Sequence, residues 1–223
     1  RDVAPSRGLG DVYKRQMAEC PSTFLKEVMD LFSLTALEIC EGQQMDMEFE
    51  QRNDVTAEEY LEMIRLKTAV LLAASLKIGA RLGGASVEDA DRLYDFGMHI
   101  GVAFQLKDDL LDVYGNAKVF GKNIGGDILC NKKTYMLIKA LEHANADQHN
   151  QLNSWINAET FQPAEKIAAV TELYDRIGVK AVCENKILEY SNRAMESLAA
   201  VSIAEEKKEE LKKIIENLIH REV

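Results

Sequence analysis

Residues 104–115 read FQLKDDLLDVYG, and the reading of this stretch decides the fold. It has the look of a helix, yet Asp108, Asp109 and Asp112 sit among leucines and a phenylalanine. Residues four apart on a helix share a face and those three apart nearly do, so like charges at this spacing repel. Either something positive justifies the carboxylates or they face water. Traced backwards from Asp112, the same face carries Asp108, Gln105, Gly101 and Gly97. A glycine inside a helix costs about 1 kcal/mol relative to alanine, so two on one face imply a close approach. A second helix packed there is the preferred answer on these residues alone; a ligand cavity with the aspartates at its mouth is the other. Two carboxylates one turn apart suit a hard divalent cation, Mg²⁺ above all, which completes its shell with water and phosphate oxygens. Asp109, about a quarter-turn away, serves as an additional or outer ligand. An acidic helix face is more often merely solvated, so the triplet has to be judged by its surroundings.

Those surroundings are helical throughout. The 223 residues suffice for one large domain, and nearly half are apolar, with few aromatics and 3 prolines. Leu, Ala, Glu and Lys dominate, a composition that favours helix. Pro21 and Ser22 open a helix expected to reach about residue 52. Thr56 and Glu59 form a capping box that starts another, running to about residue 82. A 3.6-residue period gives it an apolar stripe of Leu61, Ile64, Thr68, Leu71, Ser75 and Ile78. Gly83 and Gly84 end it. Ser86 with Asp89 then caps the helix that carries the opening stretch to about Tyr114. GNAKVFGKNIGG, residues 115–126, is the clear loop. Further helices are expected at about 132–146, 148–158, 163–176, 178–200 and 204–221. With no strand patterning, the fold class is an all-α bundle.

The charge balance narrows the partners. Lys and Arg number 27 against 37 Asp and Glu, a net charge of −10. No basic face is available for nucleic acid, whereas a small anion needs only a few local cations and a metal. Cys20, Cys40, Cys130 and Cys183 form no C-x-x-C pair, so no zinc site follows, and scattered cysteines fit a reducing cytoplasm. No apolar run approaches a membrane span, and no secretory signal heads the chain. Residues 1–16, RDVAPSRGLGDVYKRQ, have no structural period, and DVYKRQ reads as the translated end of a sequencing adaptor. They are set aside as non-native or disordered, and residues 17–223 are taken as the domain.

Cationic positions accompany the aspartates. Lys67 and Thr68 sit mid-helix, on or beside the inward stripe. A lysine there usually snorkels to the surface, but beside a hydroxyl it can hold a phosphate. FGKNIGGDILCNKKTY, residues 120–135, sets Lys122, Asp127 and Lys132 around a glycine-rich turn into a helix, an arrangement that favours an anion. Alone, it would read as a solvated loop.

Taken together, FQLKDDLLDVYG, the following FGKNIGGDI…NK, the KT pair at 67–68 and EGQQMDMEFE at 41–50 resemble the trans-isoprenyl diphosphate synthases. This is the polyprenyl synthetase family, which includes farnesyl and geranylgeranyl diphosphate synthases. All four motifs occur in the family's order and approximate spacing, and the resemblance covers essentially everything after Met17.

The resemblance implies an isoprenoid synthase-type helical bundle around a central cavity, and an enzyme that condenses an allylic diphosphate with isopentenyl diphosphate. Asp108, Asp109 and Asp112 match its second aspartate-rich motif, which holds Mg²⁺, with Mn²⁺ as an alternative. Lys67 and Lys122 match residues that hold the allylic diphosphate, and Thr68 and Gln105 match polar residues near the reacting carbons. Gln43 and Asp46 resemble a GQxxD element facing the cavity, while Asp127 and Lys132 match a closing region. Gly97 and Gly101 would make room beside the reacting end. The family's first aspartate-rich motif and its basic isopentenyl diphosphate site should precede residue 17. Residues 17–223 are therefore expected to be the C-terminal part of one synthase domain, inactive alone and homodimeric and cytoplasmic when complete. A partner-dependent subunit of a heteromeric synthase and a class I terpene cyclase are the rival readings.

Overall fold

The structure, a computed structural model, describes residues 17, 19–115 and 124–219. Among the described residues all regular structure is helical. Helix α1 spans Ser22–Phe49 and follows Pro21, whose φ of −51° prepares the helical turn. Helix α2, Ala57–Ile64, opens on the expected capping box: the Glu59 N–H donates to the Thr56 hydroxyl at 3.2 Å, and the Thr56 N–H to the Glu59 carboxylate at 2.9 Å. A π turn over Arg65–Ala69 joins α2 to α3, Val70–Leu82. Gly84, at φ 85°, closes α3, while the Gly83 and Ala85 N–H groups bond back to the Gly79 and Ala80 carbonyls. Helix α4, Val87–Tyr114, carries the opening stretch, and the Ser86 hydroxyl caps it by accepting from the Asp89 N–H.

A short α5, Gly126–Leu129, follows between the loop expected over 115–126 and the helix expected from about 132. Then come α6 Tyr135–His143, α7 Ala146–Ile156, α8 Pro163–Ile177, α9 Val179–Ala199, a 3₁₀ turn Glu205–Lys207 and α10 Glu209–Ile219. The helix expected over 132–146 is shorter than that. Thr134 caps its start, and Asn145 with Gln148 forms a second capping box that begins α7.

Helix α4 is the axis of the bundle, packed most extensively on α9 and on α3. Its Phe96, Ile100, Ala103, Leu106, Leu110 and Val113 join Tyr60, Ile64 and Ala69, and Cys183, Ile187 and Leu198 of α9, in one core. Burying a large apolar side chain contributes about 1.5–3 kcal/mol, so this seam holds α4 in place.

The glycines of α4 belong to that packing. A Cβ built at Gly97 or Gly101 would lie 2.6 Å from the Cα of Ala73 or Ala69 respectively. Helix α3 and the π turn fill the space beside them, so the expectation that these glycines make room for a reacting substrate is corrected. The expected stripe on residues 57–82 is corrected too. Leu71 is 51% exposed and Ser75 is also exposed, while Tyr60, Ile64, Ala69 and Ala73 face inward. Those four are spaced four, five and four apart. The five-residue step is the π turn, which inserts one residue and rotates everything after it by about 100°.

Candidate active site

The π turn also shapes the site. The Val70 N–H reaches back to the Arg65 carbonyl, five residues away, so the backbone bulges at Lys67 and Thr68. Helix α1 crosses at that bulge through Gly42, where an added Cβ would lie 2.5 Å from the Lys67 nitrogen. Asp46, one turn on, then meets Lys67 with an Nζ–Oδ2 distance of 2.6 Å. Gln43 lies on the exposed surface of α1.

From Thr68 a chain of polar contacts runs into the core. The Thr68 hydroxyl donates to Gln105 Oε1 at 3.3 Å, and Gln105 Nε2 donates to Asp109 Oδ1 at 3.1 Å. The other Asp109 oxygen accepts from the Tyr60 hydroxyl. Asp109 is 3% exposed and Tyr60 1%. Burial pushes the Asp109 carboxyl up to about 7, against the downward pull of the Tyr60 and Gln105 hydrogen bonds. Of the three aspartates, Asp109 is thus the inward one, while Asp108 and Asp112 are half-buried.

Asp112 organises the next segment. Its carbonyl accepts from the Gly125 N–H at 2.6 Å, and its Oδ2 accepts from the Asp127 N–H at 2.9 Å, at the start of α5. Gly125 sits at φ 83°, which lets the chain turn back onto α4. Asp127 then pairs with Lys132 at 3.6 Å. Burial raises the Asp127 pKa, with Asp112 and Asp108 adding to the rise and Lys132 opposing it. Burial works against the charge on Lys132, yet Asp127, Asp109 and Asp46 together hold its pKa above the ordinary lysine value. Lys132 therefore feels carboxylates from α1, α4 and α5 at once. Asp46, Asp127 and Lys132 line one open cleft of about 750 Å³.

The structure thus gathers Asp46, Lys67, Thr68, Gln105, Asp112, Asp127 and Lys132 into connected pairs, with Asp108 beside them. Lys122 lies outside the described residues. Among the described residues no three His, Cys, Asp or Glu side chains converge into a protein-only metal cage. The Asp108–Asp112 pair fits Mg²⁺ nonetheless, because that ion takes one or two carboxylates and fills its octahedron with water and phosphate oxygens.

Three residues that matter here are passed over by sequence reasoning. Tyr60 reads as ordinary core at a helix start. Asn131 reads as loop. Lys166 carried a usable signal, since it shares an apolar stripe of α8 with the buried Val170, Leu173 and Tyr174.

An all-helical bundle with Asp46, Asp127 and Lys132 on one cleft defines a class of helical proteins with a charged site of both signs. Comparison with known proteins makes that class specific. The family model for polyprenyl synthetase matches residues 10–174, and the chain belongs to this family. It is 37% identical over 201 residues to a short chain isoprenyl diphosphate synthase of Methanothermobacter thermautotrophicus, covering 90% of this chain and 61% of that protein. A crystal structure of a geranylgeranyl pyrophosphate synthase superposes with a TM-score of 0.88 at 36% identity, covering 94% of this chain and 65% of that one. A second, from Corynebacterium glutamicum and complexed with isoprenyl diphosphate and magnesium, gives a TM-score of 0.83 at 28% identity and covers 92% and 58%. The chain therefore spans about three-fifths of the length of these relatives.

Proposed function

We propose that the protein is a Mg²⁺-dependent trans-prenyltransferase. It joins an allylic diphosphate to isopentenyl diphosphate and releases a polyprenyl diphosphate five carbons longer, plus pyrophosphate. The observation that carries this reading is the shared cleft: Asp46, Asp127 and Lys132 line it together, Lys132 pairs with Asp127, and Asp112 accepts from the Asp127 N–H behind that pair. Such a pole suits a diphosphate, whose charge is too dense for lysines alone.

Asp108 and Asp112 are the residues that would hold the ion. When bound, Mg²⁺ (or Mn²⁺) supplies Lewis acidity to the departing pyrophosphate. Lys67 and Lys132 neutralise the diphosphate oxygens as the allylic C–O bond breaks, from positions fixed in advance by Asp46 and Asp127. Lys122 joins them on the family's pattern. Thr68 and Gln105, joined to each other by a hydrogen bond, are assigned beside the allylic carbons on the family's pattern. The isopentenyl double bond then attacks the cation, and a proton leaves the new chain. Asp109 acts from the core by holding Gln105. Gln43 is assigned to the same cavity on its motif alone.

The relatives are longer than this chain, so the isolated 223-residue chain is proposed to bind diphosphate without completing elongation. The complete protein is proposed to be a cytoplasmic homodimer. Exposed Leu34 and Leu37 on α1 are compatible with a further surface packing there. No helix among the described residues is long and apolar enough to cross a membrane.

The test is calorimetric titration of the chain with a non-ionisable allylic thiolodiphosphate. Binding that appears with Mg²⁺ and vanishes with a chelator is expected; Mg²⁺-independent binding, or none, overturns the reading. Product analysis of the complete protein separates linear prenyl diphosphates from the cyclic hydrocarbons of a terpene cyclase.

A further inference from the structure

We propose that Asn131 and Lys166 form a clamp that positions Lys132 over the diphosphate pole. The inference rests on the reading of Lys132 as a diphosphate-binding residue. Asn131 is the one non-glycine residue with positive φ among the described residues, at 51°. Asparagine tolerates that region better than most residues but does not prefer it, so the surroundings have to hold it there.

They do so from both ends of the amide. Asn131 Nδ2 donates to the Ile156 carbonyl at the end of α7, at 3.0 Å. Asn131 Oδ1 accepts from Lys166 Nζ of α8, at 2.7 Å. A donor facing a carbonyl and an acceptor facing an ammonium allow one amide orientation only. Lys166 is itself 1% exposed, with Nζ 4.2 Å from the centroid of the Phe161 ring. A buried ammonium needs such partners to offset its lost hydration. Asn131 and the cation–π contact with Phe161 are the partners it finds.

The left-handed residue reverses the chain as it leaves α5. The Lys132 N–H consequently bonds back to the Asp127 carbonyl at 3.0 Å, and the Lys132 side chain returns to the Asp127 carboxylate. Without the reversal, the next residue would run on past the cleft. Asn131 and Lys166 thus act through Lys132; neither is assigned a contact with substrate.

The experiment uses the 223-residue chain and two readouts. Asn131→Gly keeps the left-handed backbone free of strain and deletes the clamp. Asn131→Asp keeps the acceptor for Lys166. Lys166→Met breaks the clamp from the other side at similar volume. Hydrogen exchange at the Lys132 amide reports the turn without any ligand, and Mg²⁺-dependent binding of inorganic pyrophosphate reports the site. We expect faster Lys132 exchange in Asn131→Gly and Lys166→Met, and pyrophosphate binding weakened about tenfold, with a smaller loss in Asn131→Asp, which keeps the Lys166 contact and gives up the donor to the Ile156 carbonyl. Adding Asn131→Gly to Lys132→Ala should weaken binding no further, because both act through one ammonium. An additive double mutant assigns Asn131 to stability alone and overturns the proposal, as does unchanged Lys132 exchange. Normal binding by Asn131→Gly, when the wild type binds, overturns the clamp and leaves the function standing. A wild-type chain that binds no pyrophosphate, even with exchange altered as expected, removes the reading of Lys132 and the clamp's role with it.

Discussion

The Tyr60 hydroxyl donates to Asp109 Oδ2 across a sequence separation of 49 residues, and both side chains are buried. This bond, with the one from Gln105, is what lets a carboxyl sit in an otherwise apolar seam. Tyr60→Phe keeps the ring and deletes the donor, leaving a buried acceptor short of a partner. A loss of about 1–3 kcal/mol is expected in urea denaturation. Combined with Asp109→Leu, which has no acceptor, the losses should be less than additive, because the two changes remove one shared interaction.

Gly101, packed on the π turn, and Gly79, on the exposed side of α3, should respond oppositely to the same chemical change. Gly101→Ala puts a Cβ 2.6 Å from the Ala69 Cα, so the helices must separate. A cost of about 1–3 kcal/mol is expected from overpacking, outweighing the better helix propensity of alanine. Gly79 of α3 is exposed, with nothing within 4 Å of an added Cβ. Gly79→Ala should therefore stabilise by about 0.5–1 kcal/mol. Thermal melts of the two variants check both signs.

Asp108 and Asp112 should separate binding from folding. Asp108→Asn is expected to abolish Mg²⁺-dependent binding of an allylic thiolodiphosphate with little change in Tm. Asp112→Ala should abolish binding and also lower Tm, because it removes the acceptor for the Asp127 N–H and costs about 1 kcal/mol. Titration calorimetry beside melting curves distinguishes the two patterns. Equal melting losses in both variants would contradict the division of roles.

His99 gives a pH dependence away from the site. Burial lowers its pKa, and Arg193 acts the same way while Asp95 and Glu196 oppose, the net shift being downward. A histidine with a depressed folded-state pKa favours the folded state when neutral. Its contribution is full above the unfolded value near 6.5 and is lost as pH falls through the lower folded value. Wild-type Tm should therefore drop on acidification below about pH 6.5, and His99→Gln should flatten that limb. An unchanged slope in melts collected across this range counts against it.

Much of this protein is local and so could be read along the chain. The Thr56–Glu59 box, the Ser86 cap and the Gly83–Gly84 stop each depend on groups within a few residues of one another, and all appear where the sequence predicts. The order of Asp46, Lys67, Gln105, Asp108, Asp112, Asp127 and Lys132 likewise carries the family resemblance without reference to packing. Position along the chain could not reveal which of two readings of Gly97 and Gly101 was right, because the answer lies in Ala69 and Ala73 on another helix. Nor could it reveal the π turn, since a 3.6-residue period assumes the register that the turn breaks. Asp109 looks like its neighbours Asp108 and Asp112 in sequence, but Tyr60 and the α9 side of the core draw it inward. Asn131 is an ordinary loop residue until α7 and α8 bring Ile156 and Lys166 to its amide. Caps and turns are set by short-range hydrogen bonding. Which face of a helix is buried, and which carboxylate meets a ligand, follows from contacts between segments far apart in the chain.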